Sequence, residues 1–247
     1  MDRSIYVAMN GAKQTLLAQT VNANNLANSQ TTGFKADFEQ FRSMPAFGPG
    51  YPARVYSMAE RPGSNLSTGT LQTTGRDLDV AIDGNGWIAV KGQDGSEAYT
   101  RAGDLVITPE GLLQNGAGQS ILNDAGTPIT IPPMRKIQFG SDGSISIIPQ
   151  GGNPASTVLL DRIKLVNPDA GSLEKREDGL MHLKQGVAAA QPDLNVKLVQ
   201  GSLEGSNVNI MSALVDMIEL SKNYELQVKA MKSADDNAAA SAKLMQM

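Results

Sequence analysis

Two groups of residues in this chain could do chemistry. His182 is the sole histidine among 247 residues, and cysteine is absent. A histidine-based triad or metal centre would rest on one imidazole, while disulfides, thiolate nucleophiles and cysteine-metal sites are excluded together. His182 stands in Leu180-Met181-His182-Leu183, a strand-like segment, and reads there as a surface or interface residue. Asp77, Asp79 and Asp83 gather near glycines, as the oxygen ligands of a calcium loop would. They lack the spacing of an EF-hand, and a solvated strand edge accounts for them. Asp235-Asp236 reads as a solvated helix face. Gly-x-Ser-x-Gly, phosphate-loop and dinucleotide fingerprints do not occur. The chain is therefore expected not to be an enzyme and to use no cofactor or metal.

The elements that would position any site divide the chain sharply. All 12 prolines lie between Pro45 and Pro192, and no glycine follows Gly205. Both ends are thus free of the strongest helix breaker. Apolar residues recur on each at three-four spacing, the pattern of helices that supercoil around partners. The N-terminal seam is Ile5, Met9, Ala12, Leu16, Ala23 and Leu26, with Gln19 in its gap. The C-terminal seam is Ile210, Ala213, Met217, Leu220, Tyr224, Met231, Ala234, Ala238 and Met245, interrupted by Gln227 and Ser241. Ordering such an arm costs more backbone entropy than its own seam returns on burial. The arms are accordingly expected to fray in a free monomer and to order in a bundle; pairing with each other inside one subunit is the plainer alternative.

Between the arms, short alternating runs are separated by turn compositions about every ten residues. Leu78, Val80 and Ile82 lead through Gly84-Asn85-Gly86 into Trp87–Val90. Further strands are expected at Glu97–Arg101, Leu105–Thr108, Ser120–Leu122, Ile129–Ile131, Lys136–Phe139, Ser144–Ile148, Thr157–Val166, Leu180–Lys184 and Leu194–Val199. With no helical window among them, the pattern indicates an antiparallel β domain. The fold class is then α+β: terminal helices pairing as a coiled-coil-like domain, with a central antiparallel β-rich domain. Expected boundaries are 1–30 for the N-terminal helix, 31–70 for a joint and extended linker or subdomain, 71–200 for the β domain, and 201–247 for the C-terminal helix.

Composition narrows the partners. A net charge of −4 without a dense basic cluster argues against nucleic acid. No apolar run approaches the ~20 residues of a membrane span, so no direct membrane insertion is expected. Arg3 is the lone cation at the start and no uninterrupted apolar segment follows it, so no cleavable signal peptide is expected.

Asn24-Asn25-Leu26-Ala27-Asn28 followed by Thr32-Gly33-Phe34-Lys35 resembles the N-terminal motif shared by bacterial flagellar rod and hook proteins. Tyr99-Thr100-Arg101-Ala102-Gly103-Asp104, leading to Gly111-Leu112-Leu113, resembles the β-domain repeat of that family. Leu203-Glu204-Gly205-Ser206-Asn207-Val208, opening a long terminal helix, is a third match in family order. The chain has no room for the outer domain of hook proteins. Met1-Asp2-Arg3-Ser4-Ile5-Tyr6 and Gly86-Trp87-Ile88-Ala89-Val90 look most like the proximal-rod branch, with a distal rod paralogue as the runner-up. The alternative of a different class is a secreted β-domain adhesin or surface module on a private helical stalk.

The resemblance implies a structural subunit of the flagellar rod in the periplasm, exported by the flagellar type III apparatus. It implies assembly with other rod subunits, both copies of itself and paralogues, into the shaft that carries motor torque to hook and filament. It also favours reading Asn25, Asn28, Gly33 and Phe34 as a joint to a neighbouring subunit; a capped helix followed by packing within one subunit would use the same residues. Asparagine loosens helices because its side chain bonds nearby backbone, and glycine takes the positive φ of a helix exit. Phe34, Phe38 and Phe41 would form a stripe on a helical continuation. Ser206-Asn207 is placed to cap the terminal helix near Val208, so Asn207→Ala is expected to cost about 1 kcal/mol.

Overall fold

The computed structural model of the chain describes residues 4–45, 55–150 and 157–245. They form two compact units: Met1–Ser29, Asp37–Asn65 and Val208–Met247 make the first, and Gln30–Ala36 with Leu66–Asn207 the second.

The first unit joins the two ends of the sequence. Helix α1 spans Ser4–Ala27 and packs along α2, Ile210–Met245. Strands β1 (Asp37–Pro45) and β2 (Val55–Ser64) form an antiparallel hairpin that also packs on α1. Part of the segment read as linker is therefore paired strand, and Phe38 and Phe41 lie on β1 rather than on a helical continuation. Backbone hydrogen bonding overrides the three-four spacing of the phenylalanines there. Pro62 falls at the register irregularity opposite Phe38 to Gln40, where a missing N–H breaks no ladder bond.

Contact between α1 and α2 gives the expected paired terminal helices. On α2 the least exposed line is the seam read from sequence: Ala213 is buried, and Met217, Leu220, Tyr224, Gln227, Met231 and Ala234 are half-buried. Ile210, Ala238 and Met245 lie on the same seam but are exposed. On α1 the buried line is displaced from the one expected. Ala8, Ala12, Thr15 and Ala18 are buried, whereas Met9 and Leu16 are exposed. Small side chains let the neighbouring elements come close: a Cβ on Gly11 would lie 2.9 Å from Gln227 Cδ. Asn22 Nδ2 donates to Ala213 O at 2.7 Å, tying the helices together by a side chain that the heptad reading had passed over.

Helix α2 is capped by Asn209, not Asn207. Asn209 Oδ1 accepts the Ser212 N–H at 3.1 Å while its carbonyl accepts the Ala213 N–H at 3.0 Å. Asn209→Ala should cost about 1 kcal/mol of stability through α2, read as a lower midpoint of the helical circular dichroism signal. An unchanged midpoint would remove the cap from the account.

The sheets of the second unit are all antiparallel, with one short 3-10 turn at Ala170–Ser172. Its strands in order are β3 (Leu71–Thr73), β4 (Val80–Asp83), β5 (Trp87–Lys91), β6 (Glu97–Thr100), β7 (Leu105–Ile107), β8 (Leu113–Asn115), β9 (Met134–Phe139) and β10 (Ser144–Pro149). They continue with β11 (Val158–Arg162), β12 (Leu165–Val166), β13 (Leu173–Lys175), β14 (Met181–Leu183), β15 (Lys197–Gln200) and β16 (Ser202–Glu204). The largest sheet runs β12-β5-β6-β14-β13; β11-β10-β9 form a second, and β4, β3 and β7 pair with β15, β16 and β8. The segments 120–122 and 129–131 make isolated bridges rather than full strands, and the run 157–166 breaks into β11 and β12. Fully buried Ile88, Leu105, Leu113, Ile121, Ile129, Ile145 and Ile163 fill the core, and branched side chains suit such a pleated surface.

His182 is buried rather than at the surface, because β14 lies between β6 and β13; its Nε2 is 2.8 Å from Asp178 Oδ2. Asp79 is likewise not solvated. It is buried, accepts the Thr74 hydroxyl at 2.6 Å and pairs with Arg76 at 3.3 Å, while Asp77 and Asp83 are exposed. Asp79 thus ties the turn before β4, and no group of metal-ligating residues forms among the described residues.

Candidate assembly site

The second unit brings parts of the three sequence motifs, residues 32–35, 99–104 and 203–207, to one place. Residues 30–36 belong to it, so the segment after α1 packs among the β strands. Glu204, at the end of β16, is fully buried and binds two cations drawn from distant parts of the chain. Its Oε1 accepts from Lys35 Nζ at 2.6 Å and from the Gly69 N–H at 2.8 Å; its Oε2 accepts from Arg101 at 2.7 Å. Lys35 and Arg101 are each only 3% exposed. Lys35 also donates to Ser67 O at 2.7 Å, and Arg101 to Gly84 O at 2.8 Å, with its guanidinium 5.3 Å from the Trp87 ring centre. Burial pushes the Glu204 carboxyl up. The hydrogen bonds from Lys35 and Gly69 and the charges of Arg101 and Lys35 outweigh it, and hold the group below its ordinary value.

Backbone contacts lock the same segments. Gly33 has φ +67° and its N–H donates to Glu204 O at 2.7 Å. Asn207 accepts the Ala36 N–H on Oδ1 at 2.8 Å, donates its own N–H to Phe34 O at 3.3 Å, and donates from Nδ2 to Ser67 O at 3.1 Å. It is a clasp between residues 34–36 and 207, not a helix cap. Phe34 is half-buried beneath Lys175, whose Nζ lies 4.0 Å from the ring centre. Gly33 and Phe34 are therefore packed within this unit.

The first unit holds the remaining candidates. Asn25 grips the start of β1 from both sides: its Nδ2 donates to Asp37 O and its Oδ1 accepts the Asp37 N–H, both at 2.9 Å. Asn28 donates back to Asn24 O at 3.0 Å as α1 ends. Ile5 and Leu26 are half-buried, Ala12 is buried, and Ala23 is exposed. Met9 and Leu16 join Tyr6 and Leu17 on an exposed apolar face of α1. On α2, the side opposite the seam carries exposed Met211, Leu214, Val215 and Ile218, a stripe at the same three-four spacing that the sequence reading left out.

Glu204, Lys35 and Arg101 had no role assigned from sequence, although each stands inside a quoted motif. The available signal was charge of opposite sign in three otherwise apolar or glycine-rich segments, which marks burial only once pairing is known.

Three protein families match segments of the chain. The one described as Flagella basal body rod protein matches residues 5–35, Flagellar hook protein FlgE/F/G D1 domain matches 81–147, and Flagellar basal body rod FlgEFG protein C-terminal matches 199–244. Full-length similarity extends to the flagellar basal-body rod protein FlgF of Escherichia coli, 39% identical with 100% of both chains covered. FlgF of Salmonella typhimurium is 37% identical, again over 100% of both. FlgG of Bacillus subtilis is 32% identical over 96% of each chain.

Proposed function

The chain belongs to the flagellar basal-body rod protein family, and on that footing we propose that its paired terminal helices polymerise into the proximal rod, the shaft that carries torque to hook and filament. It is a structural, FlgF-like rod subunit of the basal body that assembles with other rod subunits. Passage through the flagellar type III apparatus, a periplasmic position and contacts with both self and paralogues complete the proposal. So do the division of the chain at about 30, 70 and 200 and the role of Ile5, Met9, Leu16 and the α2 seam in holding neighbours.

One observation carries this reading. After α1 and α2 have packed together, the helical unit still exposes Tyr6, Met9, Leu16 and Leu17 on one helix and Met211, Leu214, Val215 and Ile218 on the other. Apolar patches of this extent on a folded subunit mark an interaction surface. A shaft under torque needs many shared contacts of this kind.

Leu16→Asp is expected to abolish incorporation into basal bodies, and with it motility, while the subunit stays folded. Leu16 is 46% exposed, so the charge costs the free subunit little. Leu220→Asp should act in the same direction. Trp87, the sole tryptophan, lies in the β unit and reports its folding by fluorescence. Variants that entered basal bodies at the normal level, measured by mass spectrometry of purified particles, would overturn the seam as an interface. Absence of the unmodified chain from those particles would overturn the rod assignment.

A further inference from the structure

Within the first unit, α1, β1 and α2 enclose an open groove of about 440 Å³. Its apolar lining includes Phe38, Phe41 and Leu220, the phenylalanines 51% and 48% exposed. Its charged lining, among the described residues, is acidic: Asp37, Glu39, Asp216 and Glu219 line it, and no described lysine or arginine does. Burial holds the Glu39 carboxyl above its ordinary range. A complementary occupant is therefore apolar and cationic together.

The same unit presents such a surface elsewhere. Lys13 is the one charged residue of α1, and Tyr6, Met9, Leu16 and Leu17 flank it at three-four spacing, all exposed. We propose that this outer face of α1 docks into the acidic groove of a second copy of the chain, with Leu16 and Leu17 against Phe38 and Phe41 and Lys13 among Glu39, Asp216 and Glu219. The proposal deepens the rod-subunit reading and rests on it.

Groove and docking face are different surfaces of one unit. Ala18 and Asn22, which line the groove, lie on the other side of α1 from Met9, Lys13 and Leu16 at helical periodicity. A contact between unlike surfaces is heterologous, so it leaves one groove and one docking face free at the ends and propagates as an open helical array rather than a closed dimer.

Cross-linking tests this directly because the chain has no cysteine. Leu16→Cys and Phe41→Cys copies, carrying different tags and expressed together, are oxidised in purified basal bodies. A disulfide-linked pair containing both tags is the expected result, and it can only join two copies. Incorporation of both variants with no such pair, or with cross-links only to other rod proteins, overturns the docking while leaving the rod reading intact. Loss of the unmodified chain from basal bodies would instead remove the rod reading itself. In the second arm, Lys13→Glu should lower incorporation roughly tenfold or more, and Glu39→Lys in the same chain should restore most of it. Restoration supports the charge contact, and continued loss with a folded subunit overturns it.

Discussion

Glu204→Gln is expected to destabilise the β-rich unit by about 3–5 kcal/mol, the usual cost of leaving a buried charge without its partner. The amide fills the same space, so packing is nearly preserved and the effect isolates charge. Lys35 and Arg101 would then remain buried, both positive, with no anion between them. Chemical denaturation followed by Trp87 fluorescence measures the loss, because the indole lies against Arg101. An effect below about 1 kcal/mol would mean that water reaches the cluster and screens it.

Acid should discriminate between the two proteins. The folded-state pKa of Glu204 lies below its ordinary value, whereas the unfolded chain titrates at roughly 4.3. As pH falls, the unfolded chain takes up this proton first. The stability contributed by Glu204 is therefore present above that pH and is lost as pH falls through the folded-state pKa. The unmodified chain should lose more stability between neutral and acidic pH than Glu204→Gln does; equal slopes would place the pH dependence elsewhere.

Gly33→Ala is the second large effect. An added Cβ would lie 2.3 Å from the Arg101 carbonyl carbon and 2.4 Å from the Ala102 nitrogen, and both are backbone atoms that cannot swing aside. The positive φ adds about 1–2 kcal/mol for a side-chain-bearing residue, and overpacking adds about 1–3 kcal/mol. A total above about 3 kcal/mol is expected. Gly75 supplies the control: its φ is +72° but nothing lies within 4 Å of its Cβ position. Gly75→Ala should therefore show only the backbone part. Equal losses at the two positions would assign the whole cost to φ and none to the close approach of residues 33 and 101.

Much of the molecule was legible in the residues because its signals are local. Proline exclusion and three-four spacing marked both helices, and the α2 seam from Ala213 to Ala234 lies where periodicity puts it. Turn compositions such as Gly84-Asn85-Gly86 and Ser141-Asp142-Gly143 separate strands as expected. The motif series around Asn25, Arg101 and Glu204 carried the family.

Other features depended on contacts that no window contains. Met9 and Leu16 fit the heptad as well as Ala12 does. Which of them is buried depends on α2 and the β1–β2 hairpin packing close to α1, and close packing selects alanine. Phe38 and Phe41 kept a helical spacing, yet pairing with residues 59–63 made them strand. His182 was placed outside by its local composition and is inside because strands distant in sequence cover it. Asn207 and Asn209 are equally good caps by type; Asn209 is the one that accepts the Ser212 and Ala213 N–H groups, and Asn207 instead clasps residues 34–36. The sequence by itself determined the family, the helical ends and the β-rich middle, since each follows from short-range propensity, periodicity or motif order. Only the tertiary structure decided that Lys35, Arg101 and Glu204 form one buried charge cluster, because ion pairing acts through space and these three residues are far apart along the chain.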